Sequence, residues 1–184
     1  MPTPYFKNLV IGDQTYSFEH LEPFTFQLVS KLAQKTLLIH VTFTNHCFTH
    51  KYKPEKYQAG QLLLDTDTPR PRVFCPTRYR LSRELNLADL IRGMTHPKCK
   101  VSQSKERRNW AYTMQIDNPE GPYYLFFEIR KAVQAGRQRQ DLSIIVESAY
   151  PDDPEEKTPV FVGDMSFILL CGKTYKRQPV TAGR

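Results

Sequence analysis

Five apolar, β-branched or aromatic stretches follow one another in the second half of the chain, separated by short polar links. They run Lys98–Gln103, Trp110–Ile116, Tyr123–Arg130, Leu142–Tyr150 and Val160–Lys173. Segments of this length, rich in Val, Ile, Tyr and Phe and bounded by turn residues, read as strands. The link Asp117-Asn-Pro-Glu-Gly-Pro122 has strong turn chemistry, since Pro presets φ and Gly tolerates positive φ. Lys131–Gln140 is basic and polar and links two antiparallel strands. Pro151-Asp-Asp-Pro-Glu-Glu is an acidic turn. Strands joined in sequence by short polar links predict an antiparallel meander, and the single clear helix in the chain predicts one packed on its face. The expected fold class is α+β. That helix is Ser82–Met94, with Leu81, Leu85, Leu90 and Ile91 as its apolar stripe. Ser82 is its expected cap, and Gly93 with Pro97 closes it.

The first half adds N-terminal strands. Gly12-Asp13 suggests a hairpin between Phe6–Ile11 and Thr15–Phe18. Phe24 to Leu32 fits either a strand through Phe24, Phe26 and Leu28 or a short helix through Phe26, Val29, Ser30 and Ala33. Leu37–Thr44 reads as a strand. Residues 51–72 form a long polar loop broken by Pro54, Gly60, Pro69 and Pro71, a kind of loop that is often functional. A chain of 184 residues is most simply one domain. Within it, 1–50 supply N-terminal strands, 51–80 a loop-rich basic segment, and 81–175 the helix and antiparallel sheet.

Charge narrows the partner. Lys and Arg number 26 against 19 acidic residues, for a formal net charge of +7 and a sequence pI near 9.2. A basic domain of this kind carries the electrostatic footprint of a nucleic-acid binder. No start resembling a secretory signal and no apolar run of about 20 residues is present. The four cysteines, Cys47, Cys75, Cys99 and Cys171, form no C-x-x-C pair. Reduced thiols in a cytoplasmic protein, away from membranes, are therefore expected.

Three constellations could carry chemistry. The strand Leu37–Thr44 ends in Asn45-His46-Cys47-Phe48-Thr49-His50. Imidazoles titrate near neutrality, so His46 and His50, with His20 as a further candidate, could move the protons that RNA cleavage requires. The same histidines with Cys47, Cys75, or His96 and Cys99 offer an alternative zinc set, but their spacing matches no ribbon or finger. No cofactor is otherwise implied. Secondly, five arginines lie between residues 70 and 83: Arg70, Arg72, Arg78, Arg80 and Arg83. Guanidinium forks bind phosphate bidentately, so this run could cradle a phosphate. Pairing with Asp65, Asp67 and Glu84 is the competing use. Thirdly, Ser148 and Tyr150 share one side of a strand end, as a period of two requires. Lys98, Lys100, Lys105, Arg107 and Arg108 collect beside Trp110, the interleaving that holds single-stranded nucleic acid.

The element order from Leu81 to Tyr150, closing in Ser148-Ala149-Tyr150-Pro151, resembles the small ribonuclease-toxin fold of RelE-type toxins, colicin ribonuclease domains, EndoU and barnase. The combination of His-Cys-Phe-Thr at 46–49 with Arg-Tyr-Arg-Leu-Ser at 78–82 also resembles small uncharacterised proteins of bacterial mobile elements. Together with the basic pI and the His46–His50 cluster, this strand order leads to the expectation of an RNA-binding protein that could act as a metal-independent ribonuclease, with RNA favoured over DNA. His46 or His50, from outside the sheet that the resemblance covers, would serve as base or acid, Arg78 and Arg80 would hold phosphate, and Ser148 with Tyr150 would complete the site. The alternative is a non-catalytic interaction module of a phage, plasmid or defence system, whose partner would be a protein such as an antitoxin.

Overall fold

The computed structural model describes residues 3–105, 110–115, 121–133, 140–153 and 158–181. The chain opens with a hairpin of β1 (Leu9–Ile11) and β2 (Gln14–Tyr16), turning at Gly12 with φ +59°. Glycine meets this left-handed backbone without a Cβ penalty. The hairpin lies where it was expected, with shorter strands. β3 (Phe24–Ser30) and β4 (Lys35–Phe43) follow. The ambiguous segment is thus a strand, and its Phe24, Phe26 and Leu28 lie opposite Val41, Ile39 and Leu37. β5 (Thr49–Lys51), β6 (Leu63–Leu64) and β7 (Arg72–Phe74) pair as a small three-stranded sheet in the order β5-β7-β6. The segment read as a long loop is therefore pinned to this sheet at Lys51, Leu63, Leu64 and Arg72 and otherwise lacks strand pairing.

α1 (Pro76–Glu84) and α2 (Leu87–Gly93) come next. β8 (Lys100–Ser104), β9 (Trp110–Gln115), β10 (Pro122–Lys131), β11 (Leu142–Pro151) and β12 (Phe161–Ser166) lead to the last helix, α3 (Phe167–Lys176). The large sheet has the order β12-β8-β9-β10-β11-β4-β3. β8 to β11 form the expected antiparallel meander. The fold is α+β and mostly antiparallel, and β4 joins β11 in parallel. Residues 117–120 of the turn expected at Asp117–Pro122, residues 154–156 of the acidic turn expected from Pro151, and most of the link at 131–140 lie outside the described residues.

Two expectations fail for local reasons. The helix read as Ser82–Met94 begins earlier, at Pro76, and is interrupted at Asn86, where φ is +48°. Asn visits the left-handed region more readily than most residues, and its amide is held by Asp89 Oδ2 at 2.6 Å. Ser82 is not a cap: it is buried in α1 and donates to the Tyr79 carbonyl at 2.8 Å. The second failure is Val160–Lys173, half of which is helix. Ser166 caps α3 by accepting from Leu169 N at 3.2 Å, and Phe167, Leu170 and Cys171 bury one helical face. A short wholly apolar run carries no periodicity that separates strand from helix.

The core lies on one face of the large sheet. Leu37, Ile39, Val41 and Phe43 of β4, Leu142, Ile144 and Val146 of β11, and Leu125 and Phe127 of β10 are almost inaccessible. α3 packs on β3, β10 and β11. Each such side chain contributes roughly 1.5–3 kcal/mol of burial. Among the described residues no helix is long and apolar enough to cross a membrane.

Candidate nucleic-acid interface

Because β4 and β11 are parallel, the carboxyl end of β4 at Phe43 lies beside Val146, and β11 runs on past it to Pro151. Thr44 seals the junction: its N–H donates to Val146 O at 3.0 Å, its hydroxyl to Glu147 O at 2.6 Å. The same hydroxyl accepts from His46 N at 3.2 Å, starting a short turn over Asn45–Cys47. That turn buries the Cys47 thiol completely, and burial pushes its pKa up to about 12 despite Arg78 and Arg72 nearby. Thr49 closes the turn, donating its hydroxyl to Asn45 O at 2.8 Å.

Two arginines converge on Thr49. Arg78, from the first turn of α1, donates Nη1 to Thr49 O at 2.9 Å and to His46 O at 3.4 Å. Arg72, from β7, donates Nη2 to the same carbonyl at 3.0 Å and Nε to the Thr49 hydroxyl at 2.6 Å. The Arg78 guanidinium also lies over the ring of Tyr150, 4.5 Å from its centroid. Tyr150 in turn stacks on Phe126, with centroids 5.6 Å apart and planes at 21°. Below this cluster the Tyr123 hydroxyl is buried without a hydrogen-bond partner among the described residues. Burial, reinforced by the Cys47 thiol, holds its pKa far above the usual phenol range.

The structure therefore gathers His46, Arg72, Arg78 and Tyr150 at one end of the sheet, all half-buried. Ser148 lies opposite Phe126 and Tyr150 opposite Tyr124, so the two share a face as expected. His50 stands next door on β5, where its Nδ1 donates to Lys51 O at 3.0 Å. Lys51 sits directly across from Arg72. Like charges opposite one another in a ladder repel, which concentrates positive potential here.

The run of five arginines is not one cradle. Arg72 and Arg78 turn to Thr49, Arg80 pairs with Glu84 at 2.7 Å, and Arg83 and Arg70 are exposed. The helix imposes the split: at 3.6 residues per turn, Arg80 and Arg83 point about 200° and 140° away from Arg78.

The second basic group also disperses. Trp110 is only 3% exposed and belongs to the core, so stacking of a base on its ring, as expected from its basic neighbours, is corrected. It pairs with Phe127 on the inward face of the sheet, where an indole has more apolar surface to bury than at an edge. Lys98 and Lys105 are exposed, and Lys100 pairs with Asp164 at 3.3 Å. Arg107 and Arg108 lie outside the described residues.

His20 stands away from the Thr49 cluster. Its Nε2 meets Ser82 Oγ at 2.9 Å, and burial first, then Arg83, lowers its pKa to about 4. For the zinc alternative, the described residues hold no group of three or more His, Cys, Asp or Glu suited to a metal ion. Sequence reasoning missed Tyr123, because an isolated Tyr carries no signal until the fold brings partners to it; Thr49 stood in the quoted cluster, but its part in holding Arg72 and Arg78 follows only from the fold.

Comparison with known proteins places the chain. It is 27% identical over 117 residues to Protein YjaZ of Escherichia coli K-12, an alignment covering 64% of this chain and 61% of that relative. The chain thus spans less than two thirds of that relative's length. No solved structure matches. Residues 8–175 carry the pattern of the YjaZ family, and the chain belongs to that family.

Proposed function

We propose that the protein binds RNA through the Thr49 cluster, with Arg72 and Arg78 facing phosphate and Tyr150 offering its ring. The observation that carries this reading is the anchored Arg78 guanidinium. One of its nitrogens is held by two carbonyl oxygens and one face lies on Tyr150, so the fork is already oriented. A preorganised guanidinium loses little freedom on meeting a phosphate. The formal charge of +7 supports a polyanionic partner. Four unpaired cysteines support a cytoplasmic setting.

The test is binding of a labelled single-stranded RNA across a salt series. Wild type binds with an affinity that falls steeply with salt. Arg78→Ala and the exposed charge reversal Lys51→Glu each weaken binding and flatten the log–log salt slope by about 0.7 for each phosphate no longer neutralised. Unchanged affinity and slope in both variants overturn the reading.

Cleavage is the second reading, favoured by one observation: Arg78 binds the backbone of His46, which brings an imidazole-bearing residue to the same cluster. Incubation with RNA in EDTA tests it. Cleavage by wild type and none by His46→Ala/His50→Ala supports a metal-independent ribonuclease; intact RNA with wild type leaves binding alone.

A further inference from the structure

A groove of about 620 Å³ runs between the β1–β2 hairpin and α1, lined by Gln14, Tyr16, Thr77, Arg80, Arg83 and Glu84 along with Pro76 and Tyr79. It is formed by the side of α1 turned away from the Thr49 cluster. We propose that it is a second site, which holds one nucleotide with its base against Tyr16 and its phosphate on Arg83. The inference extends the RNA reading but uses residues outside the Thr49 cluster.

Size, charge and surface converge on this occupant. Small-ligand clefts span roughly 300–1,000 Å³, the scale of a nucleotide. Tyr79 is fixed by its hydroxyl, which donates to Ser17 O at 3.0 Å, and the Tyr16 ring stands edge-on to it at 5.1 Å. Tyr16 also packs on Phe74, 4.7 Å away. These contacts hold a half-exposed aromatic ring rigidly on the groove wall, and base–aromatic stacking tolerates any base. Glu84 pairs with Arg80 through Oε2. Arg83 has no ion-pair partner among the described residues and is exposed. The groove therefore carries two guanidiniums against one carboxylate. Gln14 accepts from the Tyr16 hydroxyl at 2.9 Å through Oε1, which leaves its NH₂ group available for a base edge.

The test is titration of the full chain with uridine and guanosine monophosphates, the matching nucleosides, and inorganic phosphate, followed by amide chemical shifts. Both monophosphates should bind, with shifts at Gln14, Tyr16, Thr77 and Arg83, and should bind more tightly than nucleoside or phosphate alone. Arg83→Glu should weaken monophosphate binding about tenfold or more, and Tyr16→Leu should weaken it similarly. A charge reversal at Lys176, exposed at the end of α3, should change nothing. Arg83 is exposed, and an unchanged circular dichroism spectrum and thermal midpoint of its variant separate loss of binding from loss of fold. Absence of binding at millimolar nucleotide, insensitivity to Arg83→Glu, or phosphate binding as tightly as nucleotide overturns the proposal. Binding of an acidic peptide in place of nucleotide also overturns it, in favour of a protein partner. The two readings separate cleanly. Nucleotide binding abolished with Arg83, alongside RNA binding indifferent to Arg78→Ala, keeps the groove and rejects the Thr49 interface; the reverse pattern does the opposite.

Discussion

Arg78 and Tyr150 meet face to face, the guanidinium 4.5 Å from the ring centroid, although they lie on a helix and a strand 72 positions apart. The contact ties α1 to the carboxyl end of β11, and the Arg78 bonds to His46 O and Thr49 O tie both to the end of β4. One side chain thereby joins three elements around the candidate interface.

Removing it should be felt in stability as well as binding. Arg78→Ala gives up two charge-assisted hydrogen bonds and a cation–π interaction, while Arg72 continues to satisfy Thr49 O. The expected cost is about 1–3 kcal/mol, read as a lower urea midpoint at unchanged m-value. Arg78→Lys should recover only part of it, since an ammonium cannot span both carbonyls and lie flat on the ring.

His20 imposes a pH dependence. In the unfolded chain its imidazole titrates near 6.5, and in the fold at about 4, because burial and then Arg83 disfavour the cation. Between those values the unfolded chain holds the extra proton. Stability contributed by neutral His20 is therefore full above about 6.5, falls as pH drops through the interval, and is exhausted below about 4. Thermal midpoints measured from pH 7 to 4 should decline for wild type and decline less for His20→Asn. Parallel declines would reject the assignment.

The cysteines should react unequally. Cys47 and Cys171 are fully buried and burial raises both thiol pKa values; Cys75 and Cys99 are half-exposed, and burial raises the Cys99 thiol as well. Thiolate is the reactive form, so a thiol reagent at pH 8 should label Cys75 first and Cys99 more slowly in the native protein, and all four only after denaturation. Mass spectrometry of partly labelled protein identifies the sites.

Gly172 lets α3 lie close against the β3–β4 turn. A Cβ there would come within 2.8 Å of Ser30 Oγ and 3.0 Å of Leu32 Cβ. Ser30 cannot simply turn aside, because its hydroxyl accepts from Ala33 N at 3.2 Å in the β3–β4 turn. Gly172→Ala should therefore destabilise by about 1–3 kcal/mol through overpacking, against the small gain that alanine brings to an open helix position. A rise in thermal midpoint would show that α3 has room to move.

Asn86 offers a contrast in backbone terms. Its φ of +48° is poorly suited to β-branched residues, so Asn86→Val should cost more stability than Asn86→Gly in the same denaturation assay. Equal costs would mean that the amide bond to Asp89, not the backbone, holds the break between α1 and α2.

Much of the sheet is legible in the sequence. The strands near 100–104, 110–115, 122–131 and 142–151 declare themselves because alternation and turn residues act locally, and a meander needs only neighbours in sequence to pair. The basic balance of the chain is legible too, since formal charge is a sum over residue types. The rest depends on contacts between residues far apart in the chain. No local signal joins β4 to β11 in parallel, and that pairing alone brings the turn at 45–47 beside Tyr150. Nor could residue type divide Arg72 and Arg78 from Arg80 and Arg83, because the division follows from where α1 starts and which face it buries. Trp110 likewise reads as a surface ring beside lysines and arginines, until its place opposite Phe127 assigns it to the core. Sequence determined the strands of the meander, whose causes lie within a few residues, but not α3 or the break between α1 and α2. Tertiary packing decided which side chains meet, because burying the apolar face of one sheet leaves each strand end a single set of neighbours.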